Sequence, residues 1–353
     1  MSETVDETVL KQYKLVKRLG KGSYGIVWKA EDRVSGESVA IKKCFDCFQN
    51  ATDSQRTYRE IRLLQQLSGH TNIISLYDVI PAASGKDVYV VSELMDADLG
   101  AVIRSGLLEP VHVQYVAYQL LCALKYLHSA HVVHRDIKPA NILLNAECKV
   151  KLCDFGLARI INPRRANVLT GYVATRWYRA PELLLGRSEY AWPVDVWAVG
   201  TITGEMIQGK AVFPGTSTLN QLERIIEVTG WPDVGSGLVV PPEVSRGIDV
   251  KALCEILPRA SIEALDFIRQ LIQFNPQGRV SAAQALTHPY IAAFFTGTEP
   301  VLGEGQSVHL SVDDNVKLRP DEYKTVLQSE LDRKRKDTDA KFHAILRDIH
   351  IST

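Results

Sequence analysis

Partway along the chain the hydrophobic pattern changes its period, and that change limits the fold more than any other feature. From Tyr13 to Val91, short β-branched and aromatic runs broken by glycine (YKLVKRLG, GIVWKAED, ESVAIKKC and DVYVVSEL) predict a small antiparallel sheet. One stretch interrupts them: TYREIRLLQQL places Tyr58, Ile61, Leu64 and Leu67 three apart, along one face of a helix. After about Asp98 the long segments VQYVAYQLLCALKYLHSA, VDVWAVGTITGEMI and SIEALDFIRQLIQF are helical in period. The expected architecture is therefore α+β and bilobal: a small sheet lobe with one main helix, and a larger, mostly helical lobe. A length of 353 residues exceeds one ordinary domain and fits two lobes.

Lys plus Arg (41) balances Asp plus Glu (41), so net charge offers no long-range attraction to nucleic acid or an anionic membrane. No apolar run approaches the roughly 20 residues that cross a bilayer. The opening MSETVDETVL has neither the basic nor the apolar part of a secretion signal, nor a glycine after Met1 for myristoylation. A cytoplasmic or nuclear protein is expected, with no membrane or nucleic-acid partner, and nothing requires more than a monomer. Six cysteines form no disulfide framework in such a compartment; Cys44 and Cys47 lack a second pair at zinc spacing and read as plain thiols. Prolines and glycines between Trp231 and Arg259 read as a surface insert. In the tail, LDRKRKDTDAKF and the apolar cluster Phe342, Ile345, Leu346 and Ile349 read as an amphipathic helix packed on the body. Its basic run, Arg333 to Lys336, reads as a solvated helix face, with a nuclear-import patch as the alternative.

Five short motifs and one helix glutamate carry chemistry. Gly20-Lys21-Gly22-Ser23-Tyr24-Gly25 lies between two strand patterns, where glycines let backbone amides approach phosphate oxygens. A dinucleotide fold would need a helix next, whereas Ile26, Val27 and Trp28 continue as strand. Val39-Ala40-Ile41-Lys42 places a lysine on the following strand, and Glu60, on the lobe's helix, is its natural partner. His134-Arg135-Asp136-Ile137-Lys138-Pro139-Ala140-Asn141 gathers a carboxylate, a cation and an amide in one loop. Phosphoryl transfer needs those groups to accept the hydroxyl proton, to neutralise the migrating phosphate and to ligate magnesium. Asp154-Phe155-Gly156 adds a hard oxygen ligand, and Ala180-Pro181-Glu182 closes the series. Their order is the signature by which protein kinases are recognised, so this is a match of pattern.

Over roughly Tyr13 to Tyr290 the chain resembles the mitogen-activated protein kinases, chiefly through Thr170-Gly171-Tyr172-Val173-Ala174-Thr175-Arg176-Trp177-Tyr178-Arg179-Ala180-Pro181-Glu182. The resemblance implies a kinase domain over 13–294, with lobes 13–95 and 96–294. A short extension (1–12) precedes it and a C-terminal extension (295–353) packs on its body. It implies ATP and Mg²⁺, with Asp136 as base, Lys42 and Lys138 on phosphates, Glu60 holding Lys42, and Asn141 and Asp154 on the metal. Gly20, Gly22 and Gly25 would cover the phosphates, and Leu19, Val27, Ala40 and Leu143 would sandwich adenine. Ser92 would be the gatekeeper, Glu93 to Met95 the hinge, and Asp98 the ribose neighbour. Thr170 and Tyr172 would be phosphorylated by an upstream kinase or by the enzyme itself. Arg59, Arg135 and Arg159 match the family's phosphothreonine ligands, and Arg176 and Arg179 its phosphotyrosine ligands.

The family acts on Ser/Thr-Pro sites, and Lys138 is of the serine/threonine type. Asp195 and the Glu182 to Arg279 pair would be scaffold, and Cys153 resembles a thiol that some members expose to covalent inhibitors. The Thr-Gly-Tyr triplet is similar to the stress-activated branch, while VDDNVKLRPDEYKTVL is similar to the atypical, C-terminally extended branch. After His288-Pro289-Tyr290, where many members carry an acidic docking patch, this chain has IAAFFTGTEP. A pseudokinase scaffold would keep the same residues without efficient transfer. A cyclin-dependent-type kinase would share the proline preference but not the two-site Thr-x-Tyr segment.

Overall fold

In the computed structural model, residues 3–22, 25–161, 175–187, 191–230 and 248–333 are described. They form two compact units: 3–65, 75–94 and 310–333 make one, 66–74 and 95–309 the other.

In the first unit the strands are β1 (Tyr13–Gly22), β2 (Gly25–Asp32), β3 (Ser38–Cys44), β4 (Leu76–Pro81) and β5 (Val88–Glu93), antiparallel in the order β1-β2-β3-β5-β4. Alternation sorts their side chains. Ile26, Trp28, Ala30, Val39, Ile41, Tyr89 and Val91 are buried on one face. Onto them pack Val5 and Val9, the latter from a short helix, α1 (Glu7–Gln12), so the segment preceding the sheet is part of its core. Lys43 is buried here too, bound to the Thr4 carbonyl at 2.8 Å and to Asp87 at 3.2 Å, with its ammonium over the Tyr89 ring. Gly25 is required by β3: a Cβ there would collide with the Lys43 carbonyl.

Helix α2 (Ala51–Leu67) buries Tyr58, Ile61, Leu64 and Leu67, the face read from the sequence. The segment 310–333 belongs to this unit as well. It is helical over 320–333, with Tyr323, Leu327 and Leu331 buried. The tail helix expected further on lies outside the described residues.

The second unit contains two-residue β6 (Ala97–Asp98), α3 (Leu99–Ser105), α4 (Pro110–Ser129), the short strands β7 (Val132–Val133), β8 (Ile142–Leu144), β9 (Val150–Leu152) and β10 (Arg159–Ile160), then α5 (Pro181–Leu184), α6 (Pro193–Gln208), α7 (Thr218–Thr229), α8 (Val250–Ile256), α9 (Ile262–Leu271) and α10 (Ala282–Ala285). Helix α6 is buried along nearly its whole length, and α4 and α9 pack against it. Its Gly200 lets α9 come close: a Cβ there would lie 2.7 Å from Ile272 and 2.9 Å from Leu271. Helix α8 corrects part of the insert reading. Its seven residues are too few for a clear period, but Asp249 caps it by accepting from the amides of Lys251 and Ala252. Residues 231–247 lie outside the described residues. Among the described residues no helix is long and apolar enough to cross a membrane.

Candidate active site

On the sheet of the first unit, the face opposite the core collects the expected nucleotide-binding side chains. Val27 stands directly across from Lys42, and Ala40 across from Ser92, so small apolar groups lie beside one lysine. The Lys42 ammonium reaches Glu60 of α2 at 2.8 Å, in a pair that is 31% and 14% exposed. Gly20 and Gly22 differ from Gly25. A Cβ on either meets nothing within 4 Å, and neither has a positive φ, so the fold itself does not demand glycine there. Leu19 is 43% exposed. Of the hinge candidates, Glu93 spends its amide on the Ser75 carbonyl (3.1 Å) and its carboxylate on the Ser75 amide (2.6 Å).

In the second unit the candidate catalytic loop is built on Asp195, at 1% exposure. Its carboxylate accepts from the amides of His134 and Arg135, both at 2.8 Å, and lies 3.1 Å from His128 Nε2. Arg135 consequently holds a left-handed backbone (φ 70°), a conformation that costs a non-glycine residue about 1–3 kcal/mol and needs such anchoring. Beyond this bend, the Asp136 carboxylate receives Lys138 Nζ at 2.6 Å and Asn141 Nδ2 at 3.0 Å. Asn141 Nδ2 also donates to the Asp136 carbonyl at 2.8 Å. With its amide nitrogen committed to Asp136, Asn141 is left presenting Oδ1 as a hard acceptor.

Asp154 likewise has a left-handed backbone (φ 63°), and the preceding Cys153 donates its amide to the Asn141 carbonyl at 3.0 Å, joining the two metal-ligand candidates through the backbone. The Cys153 thiol, half-buried, donates to the same carbonyl at 3.4 Å. Leu143 stands across the ladder from Asp98, and the Asp98 carboxylate caps α3 by accepting from the Ala101 amide. Met95 is half-buried.

Thr175, Tyr178 and Arg179 meet Arg135, Asp136 and Lys138 around a crevice of about 10 Å³. Tyr178 lies beside Glu205, whose carboxyl is raised above the usual range chiefly by burial. Behind the crevice Glu182 and Arg279 form a buried fork, with bonds of 2.7 and 2.8 Å. Thr170 and Tyr172 lie outside the described residues. Of the candidate phosphate ligands, Arg135 donates to the Leu157 carbonyl, Arg159 to that of Ala158, and Arg176 to Thr218 Oγ1. Arg59 is held elsewhere in its own unit: its guanidinium, 1% exposed, is bound by the Asp314 carboxylate at 2.6 and 3.0 Å. Nothing local in the sequence signals that pairing across 255 positions.

A family model described as the protein kinase domain matches residues 13–291. The chain is 49% identical to Extracellular signal-regulated kinase 2 of Dictyostelium discoideum, covering 95% of this chain and 94% of that protein. The chain belongs to the mitogen-activated protein kinases. It is also 48% identical to Mitogen-activated protein kinase 15 of Xenopus laevis and 43% identical to that of Caenorhabditis elegans, over 92% and 95% of this chain. It spans 57% of the length of the Xenopus protein and 74% of the nematode one. These likenesses place the kinase near the atypical branch that the C-terminal segment resembles. It is an ATP-binding serine/threonine protein kinase, and neither the pseudokinase nor the cyclin-dependent reading is favoured over that one.

Proposed function

We propose that this kinase transfers the γ-phosphoryl group of ATP to serine or threonine hydroxyls followed by proline, and that phosphates on Thr170 and Tyr172 switch it on. The observation that carries the chemistry is Asp136, fixed at its carboxylate by Lys138 and Asn141 beside a backbone bend anchored on buried Asp195. Asp136 orients the substrate hydroxyl and takes its proton as oxygen attacks phosphorus, and ADP departs with the bond to its β-phosphate oxygen broken. Lys138 and Lys42 neutralise phosphate charge, and Glu60 keeps Lys42 extended toward it. Val27, Ala40, Leu143 and Leu19 are the apolar contacts for adenine.

Asn141 Oδ1 and the Asp154 carboxylate are hard oxygen donors of the kind Mg²⁺ prefers, and among the described residues no cluster of three or more His, Cys, Asp or Glu forms a metal cage. That fits an ion bound partly by substrate phosphates; when bound, it supplies charge neutralisation of those phosphates. Arg135, Arg159, Arg176 and Arg179 would receive the two activating phosphates. Arg59, already neutralised by Asp314, would contribute less than the family pattern gives it. The partners are proteins with Ser/Thr-Pro sites and, unless the kinase activates itself, an upstream kinase; it works as a monomer in the cytoplasm or nucleus.

Phosphopeptide mapping after incubation with Mg-ATP, with Asp136→Asn in parallel and activity recorded on Ser-Pro and Ser-Ala peptides, tests this proposal. Activity that rises with phosphate on Thr170 and Tyr172, and is confined to the Ser-Pro peptide, is expected. Equal use of the two peptides would refute the proline preference, and full activity with both sites unmodified would refute the switch.

A further inference from the structure

Glu60 rides on α2, and a different face of that helix is gripped by the C-terminal segment 310–333. The grip is regular. Lys317 Nζ bonds Thr52 Oγ1 at 3.2 Å, Gln55 donates to the Asp314 carbonyl at 2.9 Å, and Arg59 binds the Asp314 carboxylate at 2.6 Å. One turn on, Arg62 meets Glu330 at 2.7 Å, and Ser311 donates to the other Glu330 oxygen. Tyr323 packs on Tyr58 with ring centres 5.7 Å apart. Positions 52, 55, 59 and 62 recur every three or four residues, so the contacts form one stripe along three turns of the helix.

Two of these contacts are strongly desolvated ion pairs. Side-chain exposure is 1% for Arg59 and 14% for Asp314, and 12% for Arg62 with 7% for Glu330. Removing one member of such a pair, or pulling the two apart, leaves a charge that the interior tolerates poorly, so both pairs are costly to break. Because they flank Glu60 along the helix, they resist both sliding and turning of α2. A slip of one residue would turn Glu60 by about 100° and carry it off Lys42, which it holds at 2.8 Å.

We propose that Asp314 and Glu330 are positioning residues for phosphoryl transfer: by pinning α2 they keep Glu60 engaged on Lys42. The C-terminal segment thereby sets how well the kinase holds ATP phosphates. This rests on the proposed role of the Lys42–Glu60 pair, and the test separates the two.

Steady-state kinetics with Asp314→Ala and Glu330→Gln, alone and combined with Glu60→Gln, at matched activation-segment phosphate content, decide it. Each single variant is expected to lower kcat/KM for ATP about five- to tenfold, in the range of couplings between contacting groups. The KM for peptide should stay unchanged, Asp314→Glu should recover part of the loss, and in the Glu60→Gln background either change should add less than about twofold. Glu330→Gln keeps the side-chain shape and an acceptor for Ser311 while removing the charge that faces Arg62, so it serves if Asp314→Ala does not fold. Undiminished losses in the Glu60→Gln background, equal losses toward ATP and peptide, or a gain of activity would overturn the proposal. Normal kinetics in both variants beside an impaired Glu60→Gln would overturn it alone. An unimpaired Glu60→Gln would overturn the Lys42–Glu60 role with it.

Discussion

Replacing Glu182 by alanine should unfold the second unit at markedly lower denaturant and temperature, and the hydrogen bonds of Arg279 give the size of the effect. A guanidinium has five N–H donors, and all are used here. Nε donates to the Gln273 carbonyl, one bond from each Nη goes to Glu182, and the remaining two go to the carbonyls of Pro193 and Phe274. The group has no exposed surface and lies 5.0 Å from the centre of the Trp197 ring. Glu182→Ala strips two of the five bonds and leaves a cation in the interior with no counter-charge. Truncating one side of such a pair costs about 3–5 kcal/mol. For a unit of this size that corresponds to a fall in Tm of roughly 10 °C. Urea titration followed by tryptophan fluorescence is the assay, since Trp197 lies against the cation. Glu182→Gln, which keeps one acceptor oxygen but not the charge, should fall between wild type and alanine. A destabilisation below about 1 kcal/mol, the level of a surface ion pair, would refute the claim that this fork is desolvated and essential to the unit.

Three further expectations follow from particular atoms. Gly22→Ala should leave Tm within about 1 °C but raise the KM for ATP several-fold, whereas Gly25→Ala, which meets the Lys43 carbonyl, should cost about 1–3 kcal/mol of stability; equal effects on Tm would contradict the distinction. Ser92→Phe should weaken inhibition by ATP competitors that carry a bulky apolar group, and equal potency on both forms would remove Ser92 from the gatekeeper role. His70 accepts from the Asn72 amide through Nδ1 and is driven down to about 4 mainly by burial. Its folded pKa lies below the unfolded one, so the unfolded chain binds the extra proton first. Stability is therefore lost as pH falls from about 6.5 toward 4, by at most about 3 kcal/mol from this group. His70→Asn should flatten that part of the stability–pH curve, and an unchanged slope would refute the assignment.

Features whose determinants are close together in sequence were legible. The candidate catalytic loop and the buried face of α2 are each written within a dozen residues. Helices α1 and α8 were not, because six or seven residues make barely two helical turns, and strand β4 (LYDVIP) was not, because its buried and exposed positions do not alternate; tertiary packing decides all three. Arg59 shows the deeper limit. The motif pattern assigned it to a phosphate, but its partner in the structure is Asp314, which sequence spacing cannot reveal. Lys43 also looks like a surface strand lysine until its burial against Thr4, Asp87 and Tyr89 is seen.

The claim that Asp136 is the base of a working phosphotransferase is tested most directly by γ-phosphate-labelled Mg-ATP and a Ser-Pro peptide, comparing wild type with Asp136→Asn at equal activation-segment phosphate content. Labelled phosphoserine from the wild type and a loss of at least about 100-fold in the variant, whose asparagine keeps the shape but cannot take the proton, is the expected result. Equal labelling by the two proteins, or none by either with both activation sites phosphorylated, would contradict it.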